Sequence, residues 1–241
     1  MIPLALALDP DTLAMLPLWF VVFLLSLTCH EASHALAAMW GGDLTAFHGG
    51  QVTLDPRPHI RREPFGTIIV PIASYLLSGW MMGWASAPYD PHWQDRHPKR
   101  AALMALAGPL ANLALVLVAA AAIRGGILAG VFAPPASAGF THLVTAAQGS
   151  IFEPVGTFLS ILFSLNLLLA AFNMLPVPPL DGITAIGLVL SEENARKVAL
   201  LGRNPSFTFV GIFIAWQIFN YVFNPLFLFG LRLLYPGETY G

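Results

Sequence analysis

Residues 30–34 read His30-Glu31-Ala32-Ser33-His34, an HExxH pattern in a stretch with no other charged side chain. On a helix the two histidines are four positions apart and project from one face, so both imidazoles reach a single metal ion. Glu31 then falls beside that ion, where its carboxylate takes a proton from water. The chemistry this pattern fits is hydrolysis assisted by Zn2+, with Glu31 as general base. Upstream, residues 13–28 carry no charge at all. The motif therefore reads as buried in a membrane. A chance HExxH on a solvated helix face is common in soluble proteins; here it is the weaker reading, because two histidines and a glutamate away from water each need a partner.

A hydrolytic zinc site takes three protein ligands and keeps one position open. The apolar regions hold few acids: Glu31, Glu153 and Asp181. The single cysteine, Cys29, excludes a paired-cysteine zinc set and an intramolecular disulfide. It points about 100° around the helix from His30 and reads as a small membrane-helix residue. Asp181 closes the run Asn173-Met-Leu-Pro176-Val-Pro178-Pro179-Leu180-Asp181-Gly182, whose prolines prevent a continuous helix. An acid at such a break is a candidate third ligand. It is equally a candidate N-cap for the helix that follows, and spacing alone leaves both open.

The elements that must position these groups follow from composition. Of 241 residues 56% are hydrophobic and only 10% charged, against about 25% in soluble domains, which makes this an integral membrane protein. A net charge of −2 gives no reason to expect a nucleic-acid partner. The expected fold class is an all-α polytopic membrane protein, one helical transmembrane bundle over residues 1–241 with a small membrane-associated β-hairpin or re-entrant segment. Spans are expected at about 13–40, 101–123, 155–175 and 207–234. Residues 66–84 carry Pro71, Gly79 and Gly83 and fit a re-entrant segment or an extra span; residues 125–152 fit a short helical hairpin or an external loop. The first run begins without a basic leader and continues through the HExxH helix, so it is expected to be retained rather than cleaved.

Basic residues set the orientation. Arg57, Arg61 and Arg62 fall in one loop, Arg96, Lys99 and Arg100 in the next, and Arg196, Lys197 and Arg203 in a third. The positive-inside rule places all three loops in the cytoplasm, so residues 66–84 must enter and leave on one side. The HExxH end of the first helix then lies toward the cytoplasmic side, in the cell (inner) membrane if the chain is prokaryotic.

Three motifs in order carry a family resemblance: HExxH in the first long span, Ala107-Gly108-Pro109-Leu-Ala-Asn112 opening a later one, and the Asn173–Gly182 run just quoted. Together they resemble the site-2 protease family of intramembrane zinc metalloproteases. The middle of the chain (Gly50-Gln-Val-Thr53-Leu54-Asp55-Pro56, His59-Ile60, Gly66-Thr67-Ile-Ile-Val-Pro71, Gly83-Trp84-Ala85) is similar to its compact prokaryotic branch, which lacks PDZ and CBS domains. The likeness covers roughly residues 17–190. It implies that His30, His34 and Asp181 are zinc ligands, Glu31 the general base, and a transmembrane protein in the lipid bilayer the substrate, as in regulated intramembrane proteolysis. The branch commonly has Lys-Pro where this chain has Ser86-Ala87, and Arg where it has Gln51; both departures bear on loop geometry or substrate preference.

The resemblance also directs Asn112 and Asn173 toward the cleft as substrate-binding amides, whereas Asn166 reads as packing. Residues Gln51, Val52, Thr53 and Leu54, bounded by Gly49-Gly50 and Asp55-Pro56, alternate weakly and read as a short strand or an interfacial loop. The resemblance favours the strand, whose edge would hold an unwound substrate by main-chain bonds. His48, His59, His92, His97 and His142 read as interfacial or solvated. The alternative function is a membrane metal-ion carrier or sensor using the same His and Asp ligands. It would want several intramembrane acids and a repeated half, which the chain does not show. Oligomeric state is not legible in the sequence.

Overall fold

Helix α1 (Pro10–Gly41) starts where Asp9 accepts a hydrogen bond from the Thr12 amide and Pro10 fills the first helical position. It ends at Gly42, whose φ of 95° is left-handed and lets the amides of Gly42 and Asp43 reach the Met39 and Ala38 carbonyls. Its 32 residues span about 48 Å, well beyond the ~30 Å hydrocarbon core. The structure, a computed structural model, describes residues 9–238 and 240. The further elements are α2 (Thr45–His48), α3 (Pro56–Arg62), a π-helical turn (Phe65–Ile69) running into α4 (Val70–Ser78), α5 (Pro91–Arg96), α6 (Pro98–Leu128), α7 (Phe152–Asn173), α8 (Asp181–Ala185) with a 3-10 turn (Ile186–Leu188), α9 (Glu192–Arg203) and α10 (Pro205–Leu234).

Helices α1, α6, α7 and α10 are long and apolar enough to cross a membrane, and their bounds lie within a few residues of those expected. The protein is a multi-pass membrane protein. Helix α6 packs along both α1 and α7. Ala101, Ala102, Ala105, Gly108 and Ala119 are buried on it, and such small residues let helix backbones approach closely where no hydrophobic force drives association. Helix α7 is the innermost, with Ile161, Ser160, Ser164 and Asn166 fully buried. Helix α10 touches the bundle through Gly211, Ala215, Gly230, Leu231 and Leu234, and turns Phe209, Phe213, Trp216 and Tyr221 outward.

The region 41–100 binds to the C-terminal end of α1. Asp43 is buried and accepts from the Thr45 amide and, at 2.8 Å, from the Asp90 amide; Trp93 and Arg100 both donate to the Gly41 carbonyl. Between these anchors the chain climbs beside α1 and returns. Helix α4 stops at Gly79 (φ 72°), and residues 80–90 come back without helix. The two limbs are pinned by the Trp84 amide to the Gly66 carbonyl and by Ser74 Oγ to the Met82 amide. At the top, Trp80 and Phe140 meet Trp19 of α1, Phe140 stacking on Trp19 at 5.6 Å. Residues 129–151 form a loop rather than a helical hairpin, held by isolated bridges Ala133 to Thr145 and Gly139 to His142.

The expected β-hairpin does not form: among the described residues there is no strand. Residues 51–54 are instead a tight connection between α2 and α3. The Gln51 amide bonds back to the Ala46 carbonyl, Thr53 Oγ1 accepts from the Asp55 amide, and the His59 ring bonds the Thr53 carbonyl at 3.1 Å. Asp55-Pro56, which resembles a strand boundary in the sequence, is a helix start: Asp55 caps the Arg57 amide and Pro56 opens α3. Four residues held from both ends by helices leave no edge to pair.

Packing of the climbing segment is testable at its glycines. A Cβ on Gly66 would lie 2.3 Å from the Trp84 carbonyl oxygen, and one on Gly83 would lie 2.2 Å from the Gly66 carbonyl oxygen. Gly66→Ala and Gly83→Ala are each expected to destabilise by about 1–3 kcal/mol, as overpacking does. Gly125→Ala in α6 meets nothing within 4 Å and should be neutral or stabilise by up to ~1 kcal/mol. Thermal unfolding in detergent checks the contrast; three equal midpoints would contradict this packing.

Candidate metal centre

His30 and His34 lie on the buried face of α1, and Asp181 is the first residue of α8. The N-cap of α8 is Leu180, and the Asp181 carboxylate caps nothing. It turns instead toward the imidazoles. Asp181 Oδ2 lies 3.1 Å from His30 Nε2 and 3.3 Å from His34 Nε2, and the two Nε2 atoms are 3.0 Å apart. Among the described residues these three side chains are the group able to hold a metal ion.

The tautomers decide what the triangle can bind. His34 Nδ1 lies 2.7 Å from the Met104 carbonyl, which only accepts, so that nitrogen carries the proton. For His30 the argument runs through amides and ends on another carbonyl. Asn166 Nδ2 donates to the Leu162 carbonyl at 2.8 Å, which fixes the orientation of that amide. Asn166 Oδ1 then accepts from Asn112 Nδ2 at 2.8 Å, leaving Asn112 Oδ1 to accept from His30 Nδ1 at 2.6 Å. The chain closes where Asn166 Nδ2 also donates to Ser26 Oγ, whose hydroxyl donates to the Val22 carbonyl. With Nδ1 carrying the proton, each imidazole in its neutral form turns the Nε2 lone pair toward a buried carboxylate oxygen. In that form three lone pairs face one another and repel unless a proton or a metal ion sits among them. Two imidazoles and one carboxylate, with each imidazole proton tied behind, are a donor set suited to zinc.

Gly108 closes the site from α6. A Cβ there would lie 2.3 Å from His34 Nε2 and 2.6 Å from His30 Nε2. Gly182 lets α8 approach in the same way, since its Cβ would lie 2.4 Å from the carbonyl oxygens of Met174 and Leu175. Glu31, the residue after His30 on α1, is 5% exposed.

Other sequence candidates fall differently. Asn112 is fully buried with both polar atoms engaged, Oδ1 with His30 and Nδ2 with Asn166. Asn173, half-buried at the end of α7, donates to the Leu169 carbonyl and keeps Oδ1 unengaged. Gln51 is buried, with Nε2 3.5 Å from the Ser86 carbonyl. Val52 and Thr53 are half-buried and Leu54 is exposed. His59, expected at an interface, is 1% exposed. Asn166, expected to pack, is a polar link, and Gly108 and Ser26 were not anticipated. The four-residue spacing of Gly108 and Asn112 on α6 is the one sequence signal that points to them.

A site of this kind on a bundle of apolar helices defines a membrane zinc protease. The sequence profile of peptidase family M50 matches residues 18–216, and the chain belongs to that family, the site-2 proteases. Two relatives share the name "Putative zinc metalloprotease". YwhC of Bacillus subtilis is 31% identical over 215 residues, 89% of this chain and 87% of its own. Rip2 of Mycobacterium tuberculosis is 30% identical over 181 residues, 73% of this chain and 59% of its own. No solved structure matches the chain. The cofactor is Zn2+.

Gly108→Ala is expected to strip the site without melting α6, since alanine favours helix. Elemental analysis of the purified protein should give a zinc content far below wild type. A full complement of zinc would mean that α6 does not close on the imidazoles.

Proposed function

We propose that the chain is an intramembrane zinc endopeptidase that cleaves peptide bonds in or near transmembrane segments of other membrane proteins. The observation that carries this reading is the triangle of His30 Nε2, His34 Nε2 and Asp181 Oδ2 against a membrane-crossing helix, with the Glu31 carboxylate next in sequence to His30. His30, His34 and Asp181 are the ligands. The chemistry an ion there supplies is Lewis-acid polarisation of the scissile carbonyl and a lowered pKa for water. Glu31 accepts the proton of the attacking water and passes it to the leaving amine, as a buried carboxylate is suited to do. Asn173 presents a free Oδ1 to a substrate amide beside the Met174–Leu175 turn against which α8 packs.

Depth and charge support the location. His34 lies seven residues from the end of α1, about 10 Å along the axis. Nine of the eleven basic residues (all but Arg124 and Arg232) belong to the loops, the short helices and the first turn of α6 at that end. By the positive-inside rule that end is cytoplasmic, and the substrate bond is met in the cytoplasmic part of the bilayer. A substrate helix keeps its amides in its own hydrogen bonds there, so it must unwind before attack. The non-helical runs 80–90 and 174–180 supply the breaks through which water enters.

Glu31→Gln should retain zinc and fold while cleavage of a transmembrane substrate falls below detection, because base and ligands are separate groups. Asp181→Ala should lose both zinc and activity, and Glu153→Ala should keep both. Substantial proteolysis by purified Glu31→Gln protein in detergent would overturn the mechanism.

A further inference from the structure

The Asp181 carboxylate is delivered by an eight-residue unit, α8 and its 3-10 turn, that ends in unpaired carbonyls. Lys99, in the first turn of α6, fills that end. Its Nζ donates to the carbonyls of Gly187 at 3.0 Å and Leu188 at 2.9 Å, and contacts that of Leu190. Three ammonium hydrogens meet three acceptors, and the charge sits at the negative end of the unit's peptide dipoles. Among the described residues, Lys99 is the one side chain that hydrogen-bonds the main chain of residues 181–190. Gly187 rests 3.3 Å, measured from its ideal Cβ, from the Ala102 side chain, so the unit lies directly on α6.

We propose that Lys99 is a positioning residue for the zinc site: it fixes the Asp181 unit to the helix that also orients both histidines. The inference rests on Asp181 being a ligand. On α6, the Met104 carbonyl holds His34, Gly108 packs against both rings and Asn112 holds His30. Lys99 ties the unit that carries the third ligand to the same helix. A short rigid unit pinned at its far end cannot swing its carboxylate away from the imidazoles. Without the ammonium the carbonyls turn to water or other donors, the unit shifts along α6, and Asp181 is held less often within reach.

The test measures zinc affinity of the full-length protein in detergent by chelator competition, together with the unfolding midpoint of zinc-loaded and chelated samples. Lys99→Met should bind zinc about 10–100-fold more weakly, the loss typical of a partner behind the ligands. The gain in unfolding temperature on adding zinc should shrink with it. The cobalt-substituted protein should show an altered visible spectrum. Lys99→Arg should recover most of the affinity, Lys99→Gln should fall between, and Lys197→Met, an exposed control, should match wild type. If Lys99→Met does not fold, the graded order of Gln and Arg carries the test. Wild-type affinity in the Met or Gln variant, or equal lowering of the loaded and chelated midpoints, would overturn the proposal and leave Lys99 a structural tie. An Asp181→Ala arm separates the two readings: if it keeps zinc, the ligand assignment has failed; if it loses zinc while Lys99→Met does not, only the role of Lys99 has.

Discussion

Two imidazole Nε2 atoms and a carboxylate oxygen, packed 3.0–3.3 Å apart with their lone pairs facing one another while the rings are neutral, are the constraint on which the rest of the protein depends. Each arrangement nearby makes sense as a way of holding that unfavourable triangle in place for a cation. The imidazole protons are drawn away to the Met104 carbonyl and the Asn112 amide, which turns both Nε2 lone pairs inward. The polar chain behind His30 continues through Asn166 and Ser26 and terminates on helix carbonyls at Leu162 and Val22. Every link in it is satisfied. In a bilayer a half-satisfied network would cost more than an apolar one, so its closure at both ends is what allows four polar side chains to cross three helices.

Helix α6 acts as the ruler. Its residues 99, 104, 108 and 112 bear on the Asp181 unit, on His34, on both rings and on His30. The four-residue spacings keep 104, 108 and 112 on one face, whereas Lys99, nine residues before Gly108 and so about half a turn around the helix from it, reaches the Asp181 unit through its long side chain. Because α1 and α6 pack through alanines and Gly108, their separation is set by backbone contact, which deforms less than long side chains do. A small shift of α6 therefore moves every contact to the metal site at once. Glu31, although next to His30 in sequence, is not a link in this chain of hydrogen bonds.

Much of this was legible in the sequence because membrane spans announce themselves by length and HExxH by spacing. The four long helices fall within a few residues of the apolar runs, and Asp181 meets the imidazoles as the family resemblance implies. What the sequence hid depends on helix rotation and on the double meaning of turn residues. Asn166 and Ser26 are polar residues in apolar helices, and only the packing of α1 against α7 makes them partners. Asp55-Pro56 serves equally as a strand boundary or a helix cap; the helix won because α3 follows at once and the His59 ring takes the Thr53 carbonyl that a strand partner would need. Asn112 was recognisable as special, but its full burial and its contact with His30 were not.

The two departures from the compact-branch pattern meet in space, with Gln51 Nε2 3.5 Å from the Ser86 carbonyl. Each replaces a cation of the branch with a neutral side chain, so two positive charges vanish from one neighbourhood. Gln51 is 2% exposed, where a guanidinium would need a full set of partners. The acid nearby is Glu63, which accepts from Ser86 Oγ at 2.9 Å, while Arg62 donates to the same hydroxyl at 3.3 Å. Glu63 thus keeps a partner, and a cation stays close, although neither comes from the positions the branch uses. The exchange is local because this cluster belongs to the 41–90 segment, whereas the ligands are held by α1, α6 and the unit following the proline turn. Variation in that segment can therefore proceed without disturbing the His30–His34–Asp181 geometry.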